Sequence, residues 1–561
     1  MTQATTLPDA DSAGPESSRF VPKELKEPLS YEAVVFTRDL GPLPAKVVSL
    51  YCRGCKSRYY HNYYVHADAS TRTYYGDVLP KFIQITQHYF IAREVCEMFA
   101  TLMNISWTSA TNCAKFYNLS LVKHEVEELL PAGWKFTRML TAEHVWDAFF
   151  TYSMLLDHQE RGTILHLAHN APTHSERLRP ALQARNALMV GPGQEQWAHA
   201  CDLCCWVHTD QNGTMSAVRS VVTDGVAIGH PCCGVHDCKK PLIRSKGARY
   251  CAEHSANERK CSVVDCSVQA QSGFKTCGMP AHRAMDETYH LKNSAMFQLQ
   301  ARLQRLSAAQ HGKTLVPDIL DLPSATTSAT LSSTSHSNGA QAGRTECTSG
   351  DSELEPPPAE AVCEEKSAKG NRRLTALFGR RRTHNEELCV TSCGVILGRA
   401  TFFGSEAING VVAFWKRLFP TRTSLPQVQW HDQNCRVWAF LNNSDSDTRE
   451  YFADVALPVD VFHFKCKHKE SDIVCGTHCN PYIWPELRTE NGRWRFNSSA
   501  AEQCNVWIGK FQAIVREMDV DRYNFFLDEM VKRRNRLTVA ELRRQGHNPY
   551  LIPRSTLLSD V

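Results

Sequence analysis

A tandem cysteine–histidine repeat constrains this chain more than any other feature. Cys233-x4-Cys238-x12-Cys251-x2-His254 is followed by Cys261-x4-Cys266-x10-Cys277-x4-His282. Each copy offers three thiolates and one imidazole, the donor set of a closed tetrahedral zinc site in which short-spaced pairs are joined by a longer loop. Scattered core thiols would not recur in the same order at similar spacing. At least two structural Zn²⁺ ions are therefore expected. Large apolar residues are sparse here, so metal binding must supply the folding free energy. Cys232, His230 and His236 are spare donors beside the first copy. The 23 cysteines in 561 residues are too sparse for a disulfide scaffold, and ten of them fall between Cys201 and Cys277. Cys52-x2-Cys55 has the spacing of a zinc knuckle, with His61, His66, His88 and Cys96 available as partners. A redox pair or two core thiols would give the same spacing. Cys201-x2-Cys204 is a further such pair, and Cys466, Cys475, His478 and Cys479 form an irregular collection that suits packing or metal equally.

Around this cluster the chain divides by composition. Lysine and arginine exceed aspartate and glutamate by only four, so charge alone neither requires nor excludes nucleic acid. There is no uncharged apolar run of about 18 residues, and no membrane span is expected. The first twenty residues lack a basic start and an apolar h-region, so a secretory signal is not expected and an intracellular, nuclear location is. Residues 1–29 read as disordered. Residues 30–165 read as a mixed α+β domain, with strand-like VVSLYCRGC and a helical stretch, HYFIAREVCEMFATLMNIS, whose apolar positions recur at three- and four-residue steps. The segment after it, SATNCAKFYNLSL, is also compatible with a helix. The two could form a helix-turn-helix or any helical hairpin. Residues 306–385 are Ser/Thr/Ala/Pro-rich and read as a disordered linker ending in a basic patch, KGNRRLTALFGRRRTHN. Arg372, Arg373, Arg380, Arg381 and Arg382 of that patch are candidate phosphate contacts on DNA. Residues 386–553 read as globular.

The acidic residues raise a second chemistry. Two-metal phosphoryl transfer needs several carboxylates converging on two divalent ions about 4 Å apart. RNase H-like folds supply them from an early strand, a later strand and a helix. Asp202 lies in strand-like WAHACDLCCWVH, which is followed by a hairpin signal, DQNG, and a second strand, SAVRSVVTDG, carrying Asp224. Asp432 ends VQWHD, and Glu502 opens the helix AAEQCNVWIGKF. Capping and helix-dipole preferences place carboxylates at the same positions without any catalytic role.

At these residues the chain resembles a known group. YCRGCKSRYYHNYY is similar to the fifth class of cysteine clusters associated with Kyakuja–Dileera–Zisupton (KDZ) transposases of basidiomycete fungi. GHPCCGVHDCKKPL, RYCAEH and KTCGMPAHRAMDETY resemble the sixth class, at about residues 220–290. CGVILGRATFFGSEAINGVVAFW, HDQNC, FHFKCKHKESDIVCGTHCNP, NSSAAEQCN and RYNFFLDEMVKRRN are similar to the C-terminal half of cut-and-paste transposase domains. The resemblance implies an α/β fold: an RNase H-like, DDE transposase-type core over residues 195–228 and 386–553, interrupted by the zinc cluster at 229–290 and the linker. It implies Asp432 as the second aspartate and Glu502 as the third carboxylate. Asp202 is preferred over Asp224 as the first, and Mg²⁺ or Mn²⁺ would be the catalytic ion. His463 and His468 match a histidine-containing region of such cores. A DGE-type ending for the third carboxylate is missing. DNA is the expected partner, and a homo-oligomer is compatible with this reading. Two functions follow: a metal-dependent DNA strand transferase or nuclease, or a non-catalytic, domesticated zinc-dependent DNA- or protein-binding factor. A zinc-stabilised interaction scaffold is a third.

Overall fold

The computed structural model describes residues 25–76, 78–122, 133–209, 213, 215–236, 238–242, 247–293, 375–466 and 472–559. The chain forms two compact units. One joins Met1–Pro231 to Arg382–Val561, and the other is Cys232–Arg381.

The first unit opens with a long hairpin, β1 (Lys26–Thr37) and β2 (Gly41–Cys52), whose turn ends on Gly41 at φ 72°. Short strands follow: β3 (Ser57–Tyr59), β4 (Tyr63–His66), β5 (Thr71–Tyr74), β6 (Phe82–Gln84) and β7 (Tyr89–Ala92). The tyrosine run builds the β3–β4 hairpin, with Tyr59 opposite Tyr64, an aromatic cross-strand pair that suits a half-buried pleat. Three helices come next: α1 (Arg93–Ser106), α2 (Ala110–Ser120) and α3 (Ala142–Glu160). Then β8 (His166–Ala168) completes an eight-stranded sheet in the order β6-β7-β1-β2-β3-β4-β5-β8, and α4 (His174–Met189) follows. Val95, Phe99 and Met103 of α1 are buried against this layer.

The second sheet lies in the same unit. Its strands are β9 (Cys205–Thr209), β10 (Met215–Val226), β11 (Asn385–Thr391), β12 (Ile396–Phe402) and β13 (Val428–Trp430). β10 is central. It pairs antiparallel with β9 near its start and with β11 further along, and parallel with β13; β11 in turn pairs antiparallel with β12. Ala456 continues the sheet beyond β13 through a parallel bridge to Val428. The longer helices of this part are α5 (Ile408–Leu418), α6 (Asn434–Asn442), α7 (Ala500–Gly509) and α8 (Val520–Arg544). In α5, Val411, Trp415 and Leu418 fall on one buried stripe, the spacing that packs a helix on a sheet. Asp519 caps α8 by accepting from the backbone N–H groups of Asp521 and Arg522.

The sequence reading separates residues 30–165 from the later core, but the two share one hydrophobic interior. Phe149 and Phe150 of α3 pack on Phe525 and Phe526 of α8. Trp107 Nε1 donates to the Trp507 carbonyl at 2.9 Å, and Trp507 Nε1 donates back to that of Asn104 at 3.2 Å. The reason is chemical: α8 carries apolar residues on more than one face, and the N-terminal layer covers those its own sheet leaves bare. α8 also carries buried charge. Arg399 on β12 meets Asp528 and Glu386, each at 2.8 Å, and Asn535 clamps both the N–H and the carbonyl of Ile396.

The second unit is held by its cysteine–histidine sets and a small apolar cluster of Val263, Ala376 and Phe378. Thr375–Phe378 was expected to belong to the disordered linker. Instead Val264 N–H donates to the Thr375 carbonyl and Leu377 N–H to that of Ser262, both at 2.8 Å. Ala376 and Phe378 are buried, and they give this stretch the apolar anchor that the rest of the linker composition lacks. Residues 294–374 lie outside the described residues. No helix among the described residues is long and apolar enough to cross a membrane.

Candidate metal centres

In the second unit the two predicted ligand sets assemble as their spacing requires. The ligand atoms of Cys233, Cys238, Cys251 and His254 all lie within 4.8 Å of one another, as do those of Cys261, Cys266, Cys277 and His282. Zn–S bonds of about 2.3 Å in a tetrahedron put sulfurs about 3.8 Å apart, with nitrogen slightly closer to sulfur. Cys238 and Cys251 sulfurs are 3.9 Å apart, and those of Cys266 and Cys277 are 4.0 Å apart. His254 Nδ1 is 3.4 Å from Cys233 Sγ and 3.3 Å from Cys251 Sγ, while His282 Nδ1 is 3.5 and 3.2 Å from those of Cys261 and Cys277. Both donor sets therefore fit a zinc ion. His254 lies on the turn of 3₁₀ helix Ala252–Arg259 that starts after Cys251, and His282 lies on the helix Pro280–Asn293. Asp286 of that helix is fully buried and accepts from Lys275 N–H at 2.8 Å and Thr276 Oγ1 at 3.3 Å, which fixes the chain just before Cys277.

Cys52 and Cys55 sit at the β2–β3 turn. Burial raises the Cys55 thiol, but hydrogen bonds from Tyr59, Ser57 and Cys52 outweigh it and bring it down to about 7. Three of the four partners suggested for this pair are engaged elsewhere. His88 Nδ1 bonds the Glu32 carbonyl, His61 packs on Phe82 and Phe90, and Cys96 is buried in the core under α1. Of the irregular set, Cys475 comes together with Cys435 and Asp472 as possible ligands and shares a small buried cluster with Cys479.

The first unit gathers carboxylates at the C-terminal ends of β10 and β13. These strands run in parallel register, with Ser220 opposite Val428 and Val222 opposite Trp430. Two residues on, the same register sets Asp224 beside Asp432. From above, α7 supplies Glu502 and Asn505, whose Nδ2 donates to Asp224 Oδ2 at 2.8 Å. Glu387 enters from β11 and Glu406 from the segment before α5. Burial pushes the Asp224 carboxyl up to about 7, helped by the charges of Asp432, Glu502 and Glu406. Burial also raises Glu387 well above its usual range and raises Glu406, with neighbouring carboxylates adding to both. Glu502 is raised by burial and by Asp460.

Two histidines border the group. His431 Nδ1 accepts from Gln433 N–H at 3.0 Å, which leaves its proton on Nε2, facing Glu387 Oε1 at 3.9 Å and Glu406 Oε1 at 3.8 Å. His463 Nδ1 lies 3.1 Å from Asp460 Oδ1 and 3.4 Å from Glu502 Oε1. Burial opposes ionisation of Asp460, but bonds from His463 and Ser498 draw it down to about 2. Asp432, Glu502 and Asp224 thus belong to one site.

Asp202 does not. It is half exposed and pairs with His547 Nδ1 at 2.8 Å. Both Cys204 and Cys205 donate backbone N–H to the Cys201 carbonyl, so residues 201–204 form a turn where a strand was expected. Asp224 takes the place given to Asp202. Glu387, Glu406 and His431 were missed altogether. A signal existed in NEELCVT, where two adjacent glutamates interrupt a strand that is buried along its whole length.

The basic patch also differs from expectation. Arg372 and Arg373 lie outside the described residues. Arg380 is exposed, and Arg381 donates to the Val235 carbonyl at 3.0 Å. Arg382 pairs with Glu517 and donates to the Arg516 and Gly229 carbonyls. An arginine neutralised inside its own fold is a poor phosphate ligand.

Comparison with known families gives two matches. Residues 8–121 match the CxC5-like cysteine cluster associated with KDZ transposases, and residues 222–288 match the CxC6-like cluster with the same association. The chain carries both clusters. Neither match reaches the carboxylates of Asp432 and Glu502. No curated protein and no solved structure matches the chain.

Proposed function

We propose that this is a transposase-derived protein whose first unit contains an RNase H-like core, and that Asp224, Asp432 and Glu502 hold divalent ions for phosphoryl transfer on DNA. One observation carries the reading: Asp224 lies two residues before the end of β10 and Asp432 two residues beyond the end of its parallel neighbour β13, and the helix bearing Glu502 is tied to Asp224 through Asn505. An early strand, a later strand and a helix contribute one carboxylate each, as the reading requires. The charge balance agrees. Several carboxylates with raised proton affinity face one another, and hard Mg²⁺ or Mn²⁺ ions take oxygen ligands of this kind. When bound, such ions would activate a water or strand-end hydroxyl and stabilise the leaving oxygen. His463 would hold Glu502 in place, and the proton on His431 Nε2 would temper the charge of Glu387 and Glu406. The association of both cysteine clusters with KDZ transposases supports DNA as substrate and a nuclear location.

The test is strand cleavage of duplex DNA by the full chain with Mg²⁺ or Mn²⁺. Asp224→Asn, Asp432→Asn and Glu502→Gln should each lower the rate by orders of magnitude with zinc content unchanged, while Asp202→Asn leaves it intact. Metal-dependent cleavage that survives all three changes would defeat this reading. If the parent binds DNA but never cleaves it, the domesticated binding factor takes its place.

A further inference from the structure

We infer that His199, Cys201, Cys204 and Cys393 form a third structural zinc site, in the first unit and outside both matched clusters. Their four ligand atoms lie within 4.8 Å of one another. Cys201 and Cys204 sulfurs are 3.7 Å apart, and His199 Nε2 is 3.2 Å from Cys393 Sγ. These separations match the tetrahedral edges of about 3.8 Å and somewhat less that the two sites of the other unit also show.

The local structure is shaped for an ion. Cys201–Cys204 is a tight turn in which the Cys204 and Cys205 N–H groups both bond the Cys201 carbonyl, which brings the two sulfurs to one side. Cys393 stands at the β11–β12 turn, followed by Gly394 at φ 92°, and Thr391 Oγ1 lies 3.0 Å from its sulfur. His199, Cys201 and Cys204 are each no more than 5% exposed. With four donors and little solvent access the site has no open position, so its role is structural. Three thiolates around Zn²⁺ leave one net negative charge, and the nearby Arg219 guanidinium, which acts electrostatically on Cys204, offsets it. A Cys201–Cys204 disulfide would need sulfurs about 2.05 Å apart and would leave His199 and Cys393 without a role.

The consequence is topological. His199 and Cys393 are 194 residues apart, and the whole second unit lies between them. Closing a long loop costs entropy that grows with its length, and a metal clip at its base offsets that cost. The site therefore fixes β9 and the Arg219–Ser220 stretch of β10 to the β11–β12 turn, and so sets the register of the strand that carries Asp224.

The test uses ¹¹³Cd-substituted full-length protein. Cys251→Ser with Cys277→Ser removes both sites of the second unit and touches nothing in the first. One cadmium resonance with three sulfur ligands and one nitrogen ligand should survive in that double variant, and adding Cys393→Ser should abolish it. No surviving resonance overturns the site. So does a resonance that persists without Cys393, or a chain that takes up two alkyl groups too few on denaturing alkylation and maps to a Cys201–Cys204 disulfide.

Discussion

Asn505 on α7 donates its amide to Asp224 on β10 at 2.8 Å, although 281 residues separate them. This bond joins the helix of Glu502 to the strand that runs beside β13, the strand before Asp432. Asp224 is also a point where burial and like charge concentrate, with Asp432, Glu502 and Glu406 around it.

That concentration has a pH signature. The folded Asp224 carboxyl is raised to about 7 by burial and by Asp432, Glu502 and Glu406, against about 3.9 when unfolded. Between those values the folded state keeps a proton that the unfolded state has lost, so this group lowers stability as pH rises from about 4 to about 7. Buried histidines such as His174, held low by burial, act in the opposite sense. The measurement is therefore a difference. The melting temperature of Asp224→Asn should gain on the parent as pH rises through this window, and Mn²⁺ should raise the melting temperature of the parent alone. Parallel pH profiles would refute the assignment.

Cys251 holds the first site of the second unit through its sulfur contacts to Cys238 and His254. Cys251→Ser should cost one zinc per chain by native mass spectrometry. It should also open residues 233–259 to protease, because the binding energy of a structural site is folding energy. The site of Cys261 and His282 should keep its metal.

Arg399 is 5% exposed at its side chain and bridges Glu386 and Asp528. Removing it takes the nearest positive charge from two buried carboxylates. Arg399→Ala should lower unfolding free energy in urea by about 3–5 kcal/mol, the usual cost of breaking a buried pair on one side. A loss under about 1 kcal/mol would mean that water reaches this pair.

Glu517 neutralises Arg382. In duplex DNA titrations across salt concentrations, Arg382→Ala should leave the log–log slope unchanged. Glu517→Gln should steepen it by about 0.9, one added phosphate contact. The reverse pattern would place Arg382 on the DNA already.

Legibility in the sequence followed the range of the interactions. The paired ligand sets of the second unit can be read directly, because their ligands are neighbours and the spacing is the constraint. Asp432 and Glu502 stand out as a strand end and a helix start. Asp202 misled because a C-x2-C turn embedded in WAHACDLCCWVH has the same apolar composition as a strand. Glu387 showed only as one of two adjacent glutamates in NEELCVT, and Glu406 left no mark, since a buried glutamate gains its meaning only when the strands beside it are known. Cys393 could not be paired with His199 for the same reason. The union of the N-terminal layer with α8 rests on tryptophan and phenylalanine contacts across some 400 residues, beyond the reach of periodicity.

The chain leaves the first unit after Pro231 and is back at Arg382, and one residue inward on each side Thr383 N–H donates to the His230 carbonyl at 3.1 Å. For a folding chain this sets an order of events. β10 and β11 are neighbours in space but lie at opposite ends of a very long excursion, and non-local pairing of that kind slows folding. Once the intervening unit has taken up its zinc and become compact, its two ends are held near each other, and the two strands meet almost as the arms of a hairpin. Refolding of the carboxylate site should then quicken with zinc supply, even though no zinc ligand of the second unit belongs to that site.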